Sequence, residues 1–326
     1  MGEIRWGIIG CGNVTEHKSG PALQKAEGSR LTAVMRRDER LALDYAERHG
    51  VPTAYGRAED LLNDPQVDAV YIATPPSSHK EYALLAAAAG KPVYVEKPMG
   101  RSAAECEAMI AACKTAGVPL FVAYYRRGLP RFLRVKEWLR SGKIGDVRYV
   151  RTWHRSKPPA DTGMENWRIQ PEISGGGLFL DLGSHTLDLL DDLLGPIRDV
   201  HGSASNLGQR YGAEDTVSGQ YVFNSGVHGT GIWCFDAYED DEATEIVGTR
   251  GRIRFSTFGD RPIVLETEDG VKLEERIPHP EHVQQPLIQS IVDELLGRGQ
   301  ALSTGASAIR TARVTDALLQ SFAWRG

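Results

Sequence analysis

Cysteine is scarce in this 326-residue chain. Only Cys11, Cys106, Cys113 and Cys234 occur, and none forms a CxxC pair. A disulfide framework and a cysteine zinc site are therefore excluded as organising devices, and a reducing, cytoplasmic setting is expected. No apolar run approaches the roughly 20 residues a membrane helix needs. The opening MGEIRWGIIG enters a strand pattern without a signal-peptide layout. Neither sign of charge dominates: 38 Lys and Arg face 43 Asp and Glu, for a formal net charge of −5. A broad pull toward nucleic acid or an anionic membrane surface is therefore not expected. Internal repeats and low-complexity tracts are absent as well. What is present, 41% hydrophobic and 25% charged residues, suits a globular protein of two domains with sizeable cores.

Two textures follow one another along the chain. Up to about residue 123, short β-branched runs (Ile4–Ile9, Leu31–Met35, Ala69–Ala73, Val93–Val95, Pro119–Ala123) alternate with alanine-rich helical stretches. Three of those stretches end in glycine just before the next strand, in RHGVP, AAGKP and TAGVP, the usual left-handed helix stop. Such alternation builds a parallel, doubly wound sheet covered on both faces. From residue 124 strand runs dominate, separated by the turn signals NSG, TRG and EDG. A mostly antiparallel sheet with one covered face is expected there. The reading is an α/β protein: an N-terminal Rossmann-type domain over 1–123, then an α+β domain over 124–326.

The first strand runs into GCGNVTEHKSG. Gly10 permits a tight turn, Gly12 allows backbone to approach a pyrophosphate, and the helix start at Asn13 and Val14 offers amides to the anion. Thr15 stands where the usual third glycine would be. The second strand ends in Arg36-Arg37 instead of the acid that reads an adenosine ribose. A guanidinium suits a 2′-phosphate, so NADP is expected ahead of NAD; Asp38, one residue on, keeps NAD open. The run Ala69–Ala73 leads to Thr74-Pro75-Pro76 and His79 at the carboxyl edge, where open α/β sheets bind ligands. His79 serves either the nicotinamide side of that crevice or the start of the following helix.

The run Val93–Val95 ends in Glu96-Lys97-Pro98. Proline restricts the residue before it, which gives the Lys97 ammonium a fixed direction; Glu96 steadies that geometry or is a solvated neighbour. Such an ammonium donates to a substrate oxygen or, if desolvated, exchanges a proton. Further on, the run Gly175-Gly176-Gly177 opens a helix carrying Asp181 and His185, four apart and hence on one face. A carboxylate one turn before an imidazole can orient it for acid–base work. A capped core helix with a satisfied histidine, or a His/Asp metal site, competes with this; no further ligand cluster accompanies the pair, and no metal is expected.

Together GIIGCGNV, ATPPSSH, the EKP turn and GGGLFLDLGSHTLD resemble the glucose–fructose oxidoreductase / inositol dehydrogenase / rhizopine catabolism (Gfo/Idh/MocA) family, over essentially the whole chain. The resemblance implies that Lys97, Asp181 and His185 match the family's catalytic lysine, aspartate and histidine. Trp167 and Arg168 are similar to positions near nicotinamide and substrate, and Tyr124 and Arg126 fall where family members line the cleft. Trp153 joins Tyr124, Arg126 and Trp167 among the expected substrate contacts, with His154 an unordered further candidate. The expected activity is NAD(P)-dependent hydride transfer to or from a carbinol or carbonyl carbon of a sugar, polyol or related small molecule. A homodimer or homotetramer built through the C-terminal sheet is implied as well. A dinucleotide-dependent glycoside hydrolase of the same fold, or a cofactor-binding regulator without chemistry, are the alternatives.

Overall fold

The computed structural model describes residues 2–163 and 165–322. They fall into two compact units: Met1–Gly128 with Pro280–Ile309, and Leu129–His279 with Arg310–Gly326. Beside the single cut expected after residue 123, the chain crosses between these units three times, after residues 128, 279 and 309. The first lies five residues later, so Tyr124 and Arg126 belong to the first unit. The second returns the chain to that unit at residue 280. The return has a physical cause in the helix Gln285–Leu295, whose Leu287, Ile288, Ile291 and Val292 form one buried stripe. Thr304 then bridges to Phe121 within the same unit.

The first unit holds six parallel strands: β1 (Ile4–Ile9), β2 (Ser29–Met35), β3 (Thr53–Tyr55), β4 (Ala69–Ile72), β5 (Val93–Val95) and β6 (Leu120–Val122). Their order is β3-β2-β1-β4-β5-β6, the doubly wound arrangement in which the strand order reverses between β1 and β4. The strands β4 and β5 are buried throughout, as expected for a parallel sheet covered on both faces. Helices Glu39–His49 and Ala103–Ala116 stop at Gly50 and Gly117 in the left-handed conformation, as the glycine pattern predicts.

The second unit holds eight strands: β7 (Val147–Arg155), β8 (Ile197–Ser205), β9 (Thr216–Phe223), β10 (His228–Cys234), β11 (Asp241–Gly248), β12 (Gly251–Phe255), β13 (Ile263–Thr267) and β14 (Lys272–Glu275). They form one sheet in the order β14-β13-β12-β11-β7-β10-β9-β8, antiparallel except for the β7–β10 pair. One face is covered and the other open. In β10, Gly229, Gly231 and Trp233 are buried while His228, Thr230 and Ile232 are exposed. The helix expected after Gly177, carrying Asp181 and His185, is two pieces. Phe179–Gly183 is a π turn, and Ser184–Leu194 is regular α. Ser184 Oγ bonds back to the Leu180 carbonyl at 2.6 Å, a contact that loosens a helical ladder locally. Asp181 sits inside the π turn and His185 just beyond it.

Candidate active site

The glycine loop after β1 is shaped by its neighbours. Gly10 has φ +91°, and a Cβ there would lie 2.5 Å from Thr74 Cγ2, so only glycine fits. At Gly12 an added Cβ would meet nothing nearer than the Gly10 carbonyl at 4.0 Å. The space over that residue is open, as a dinucleotide pyrophosphate requires. Thr15 replaces the third glycine without loss of order. Its hydroxyl donates to the Gly12 carbonyl at 2.8 Å and accepts from the Gly12 amide at 2.9 Å. Asn13 and Val14 form the first turn of the helix Asn13–His17, where amides have no acceptor within the helix. The residues present therefore fit a dinucleotide.

At the end of β2 the acid and the bases divide their work. Asp38 is the N-cap of helix Glu39–His49, accepting from the Arg40 amide and pairing with the Arg40 guanidinium at 3.1 Å. Arg40 holds its carboxyl below the usual range. Arg36 and Arg37 are exposed, and Arg36 Nη1 reaches the Cys11 carbonyl of the glycine loop at 3.4 Å.

Thr74 accepts from Ser78 Oγ at 2.8 Å, and Pro75 is exposed beside it. His79 is placed differently from a cofactor contact. It is fully buried, with Nε2 2.7 Å from the Thr74 carbonyl and Nδ1 3.0 Å from the Pro98 carbonyl. Both nitrogens are engaged, so the ring ties the Thr74 loop to the EKP turn. Burial pushes its pKa down, against the pull of those carbonyls and of Glu96. The lysine turn is held from its other side too. Glu96 is buried, accepting from Tyr71 Oη at 2.6 Å, Gln284 Nε2 at 2.7 Å and the Lys97 amide at 3.1 Å. The Lys97–Pro98 peptide is cis. Tyr124 and Arg126 are buried just after β6.

In the second unit, Arg168 Nε donates to Asp181 Oδ2 at 3.2 Å, and the Arg168 guanidinium lies 4.4 Å from the Trp167 ring centroid. His185 is buried, with Phe258 6.1 Å away in edge-on contact. The same Phe258 ring lies 5.4 Å from His154. Trp153 is on the opposite side of the sheet. It pairs in register with exposed Ile232, stacks under Arg151 and Arg254, and donates to Asp241 at 2.7 Å. His154 pairs with buried Trp233, whose ring meets Phe179 at 5.0 Å. Strand alternation thus gives His185's face to His154 and removes Trp153 from it. Burial lowers the His154 pKa against Glu242 and Asp240. Both of its ring nitrogens are buried without a hydrogen-bond partner.

The triple glycine also has a cause that the sequence hides. Glu214, fully buried, accepts from the Gly177 amide with both carboxylate oxygens, at 2.8 and 3.0 Å. A Cβ on Gly177 would lie 2.5 Å from the Glu214 carbonyl oxygen. Burial raises the Glu214 pKa to about 7. Among the described residues no group of three or more His, Cys, Asp or Glu is placed to hold a metal ion. No described helix is long and apolar enough to cross a membrane.

A doubly wound sheet whose glycine loop fits a pyrophosphate, with a braced lysine at its carboxyl edge, defines a dinucleotide-dependent oxidoreductase. The chain belongs to the GFO/IDH/MocA oxidoreductases. Residues 4–124 match the oxidoreductase family with an NAD-binding Rossmann fold, and residues 132–254 match the GFO/IDH/MocA C-terminal domain. It is 42% identical over 319 residues to oxidoreductase P35 of Formosa agariphila, covering 96% of this chain and 98% of that one. It is 35% identical to the mouse trans-1,2-dihydrobenzene-1,2-diol dehydrogenase, over 76% of this chain and 73% of the relative. Aldose–aldose oxidoreductase from Caulobacter crescentus, solved with glycerol, superposes with a TM-score of 0.87 at 27% identity, covering 98% and 97% of the two chains.

Proposed function

We propose that this oxidoreductase is an NADP(H)-preferring dehydrogenase/reductase acting on a carbinol or carbonyl carbon of a sugar, polyol or related small diol. The observation that carries the reading is the brace around Lys97, an ammonium mounted on a turn gripped through Glu96 and through the Pro98 carbonyl. A surface turn needs no such support. The names of the relatives above, a diol dehydrogenase and an aldose oxidoreductase, support the substrate class.

NADP or NAD bound along Gly10, Gly12, Asn13, Val14, Arg36, Arg37, Thr74 and Pro75 would supply the hydride acceptor or donor. Lys97 donates a hydrogen bond to the reacting oxygen and stabilises alkoxide character there. His185 takes the hydroxyl proton in oxidation and returns it in reduction. Arg168, paired with Asp181 and stacked on Trp167, orders that end of the site. Neutral His154 offers one donor and one acceptor, the complement of a substrate hydroxyl, and takes the role expected of Trp153. A panel of sugars, polyols and cyclic diols assayed with both nucleotides, followed by reduced-nicotinamide absorbance, tests the assignment; no turnover with any carbinol or carbonyl substrate would overturn it.

The NADP preference rests on Asp38 being committed to Arg40 while Arg36 and Arg37 face outward. Arg36→Asp is expected to weaken NADP binding by about 10- to 100-fold, the worth of one charge-assisted contact, with little change for NAD. Titration calorimetry with both nucleotides measures this, and an unchanged affinity ratio refutes it. On the substrate side, His154→Phe should raise KM for polyols about tenfold or more, whereas Trp153→Phe should leave it alone. Equal effects would mean that the face assignment is misplaced. Four free cysteines fit a cytoplasmic setting. The open sheet face, with Tyr149 and Ile232 exposed by 43% and 50%, suits assembly into a homodimer or homotetramer.

A further inference from the structure

The turn that carries Lys97 is held by a residue lying 188 positions further along the chain than Glu96. Tyr71 and Tyr94 stand opposite each other on β4 and β5, with stacked rings 4.7 Å apart. Glu96 follows Tyr94 by two residues and so shares its face of the sheet. Three donors converge on its carboxylate. Tyr71 Oη and Gln284 Nε2 reach Oε1, and the Lys97 amide reaches Oε2. Tyr94 Oη donates in turn to Gln284 Oε1 at 2.7 Å. Both phenols are fully buried, and burial lifts them well above their ordinary range, so they stay donors. Gln284, only 1% exposed, therefore has a fixed amide orientation and both ends in use.

We propose that Gln284 is a positioning residue for the reaction: through Glu96 it fixes the Lys97 peptide and thereby the direction of the lysine side chain. The proposal rests on the role given to Lys97 above. Removing Gln284 takes one of three donors from a buried carboxylate and leaves the Tyr94 hydroxyl without an acceptor. The turn then relaxes, and a misplacement near 1 Å costs on the order of 100-fold in rate. No nucleotide contact is assigned to Gln284, so cofactor affinity is spared.

The full-length protein is tested as Gln284→Leu and as the isosteric Gln284→Glu. Gln284→Leu should lower kcat by roughly 10- to 100-fold with NADP affinity and substrate KM nearly unchanged. Hydrogen exchange at the Lys97 amide, followed by mass spectrometry on peptides spanning 93–99, should accelerate. Gln284→Glu sets a second carboxylate against Glu96 and should be slower still at pH 8, recovering toward pH 6 as one proton is shared. The other titratable groups around that pair are Tyr71, Tyr94, Tyr125 and His79; burial lifts Tyr71 and Tyr94 well above this window. Unchanged exchange at Lys97 in both variants overturns the proposal. So does faster exchange with unchanged kcat when Lys97→Met is inactive. If Lys97→Met is itself fully active, the role of the lysine fails separately, whatever Gln284 does.

Discussion

Lys97→Met lowers kcat by about 10²- to 10⁴-fold while NADP affinity stays within a few-fold. Methionine keeps an apolar stem of similar length but has no hydrogen to donate, so the reacting oxygen loses its electrostatic partner and little else changes. The brace through Glu96, Gln284 and His79 remains, and the melting temperature should move little. His185→Asn should reduce kcat by a similar factor, because an amide cannot exchange the hydroxyl proton. The double variant should be scarcely worse than either single one, as expected of groups that act as a unit. Steady-state kinetics beside fluorescence titration of the nucleotide separates these effects. Full activity in Lys97→Met would leave the EKP turn as architecture alone.

Glu214 should contribute stability that falls as pH rises toward 7, and Glu214→Gln should remove that contribution. In the folded protein burial holds the Glu214 proton up to about pH 7, against an ordinary carboxyl value of 4.5. Its two bonds from the Gly177 amide favour the charged form but do not outweigh desolvation. Between those values the folded state binds more protons than the unfolded chain, so stability drops with pH. The contribution is fully present below about 4.5 and gone above about 7, for a total on the order of 3 kcal/mol. Glu16, lowered to about 2 by Arg48 and His49, acts oppositely in acid, as do His79 and His154, whose burial disfavours their charged form; all three cancel in the wild-type-minus-variant difference. Thermal melts at pH 5 and pH 8 measure that difference. Parallel curves for the two proteins would show that Glu214 carries no such proton.

How far the sequence could be read depended on the range of the interaction. The parallel sheet was legible because each strand and each helix stop is coded within a few residues: β-branched runs, alanine-rich helices, and glycines at 50 and 117. The glycine loop, the EKP turn and the Asp181–His185 spacing are local in the same sense. Trp153 and His154 are neighbours that the sequence leaves unordered, and only the strand phase tells them apart: Tyr149 and Trp153 lie on the exposed side of β7. The register pairs Trp153 with exposed Ile232 and His154 with buried Trp233. His79 was visible as a residue but not as a tie between two loops, since its second partner, Pro98, lies 19 residues away.

The sequence by itself determined five of the six strands in the first unit, missing only the short edge strand Thr53–Tyr55, together with the glycine loop and the candidate chemical groups at 97, 181 and 185. Tertiary structure alone decided the long-range partners: Gln284 on Glu96, Glu214 on Gly177, and His154 rather than Trp153 on the covered face of the second sheet. The reason is physical. Backbone propensity and side-chain period are properties of short segments, whereas buried polar groups find partners wherever the folded chain brings a donor to an acceptor, and no local pattern records that meeting.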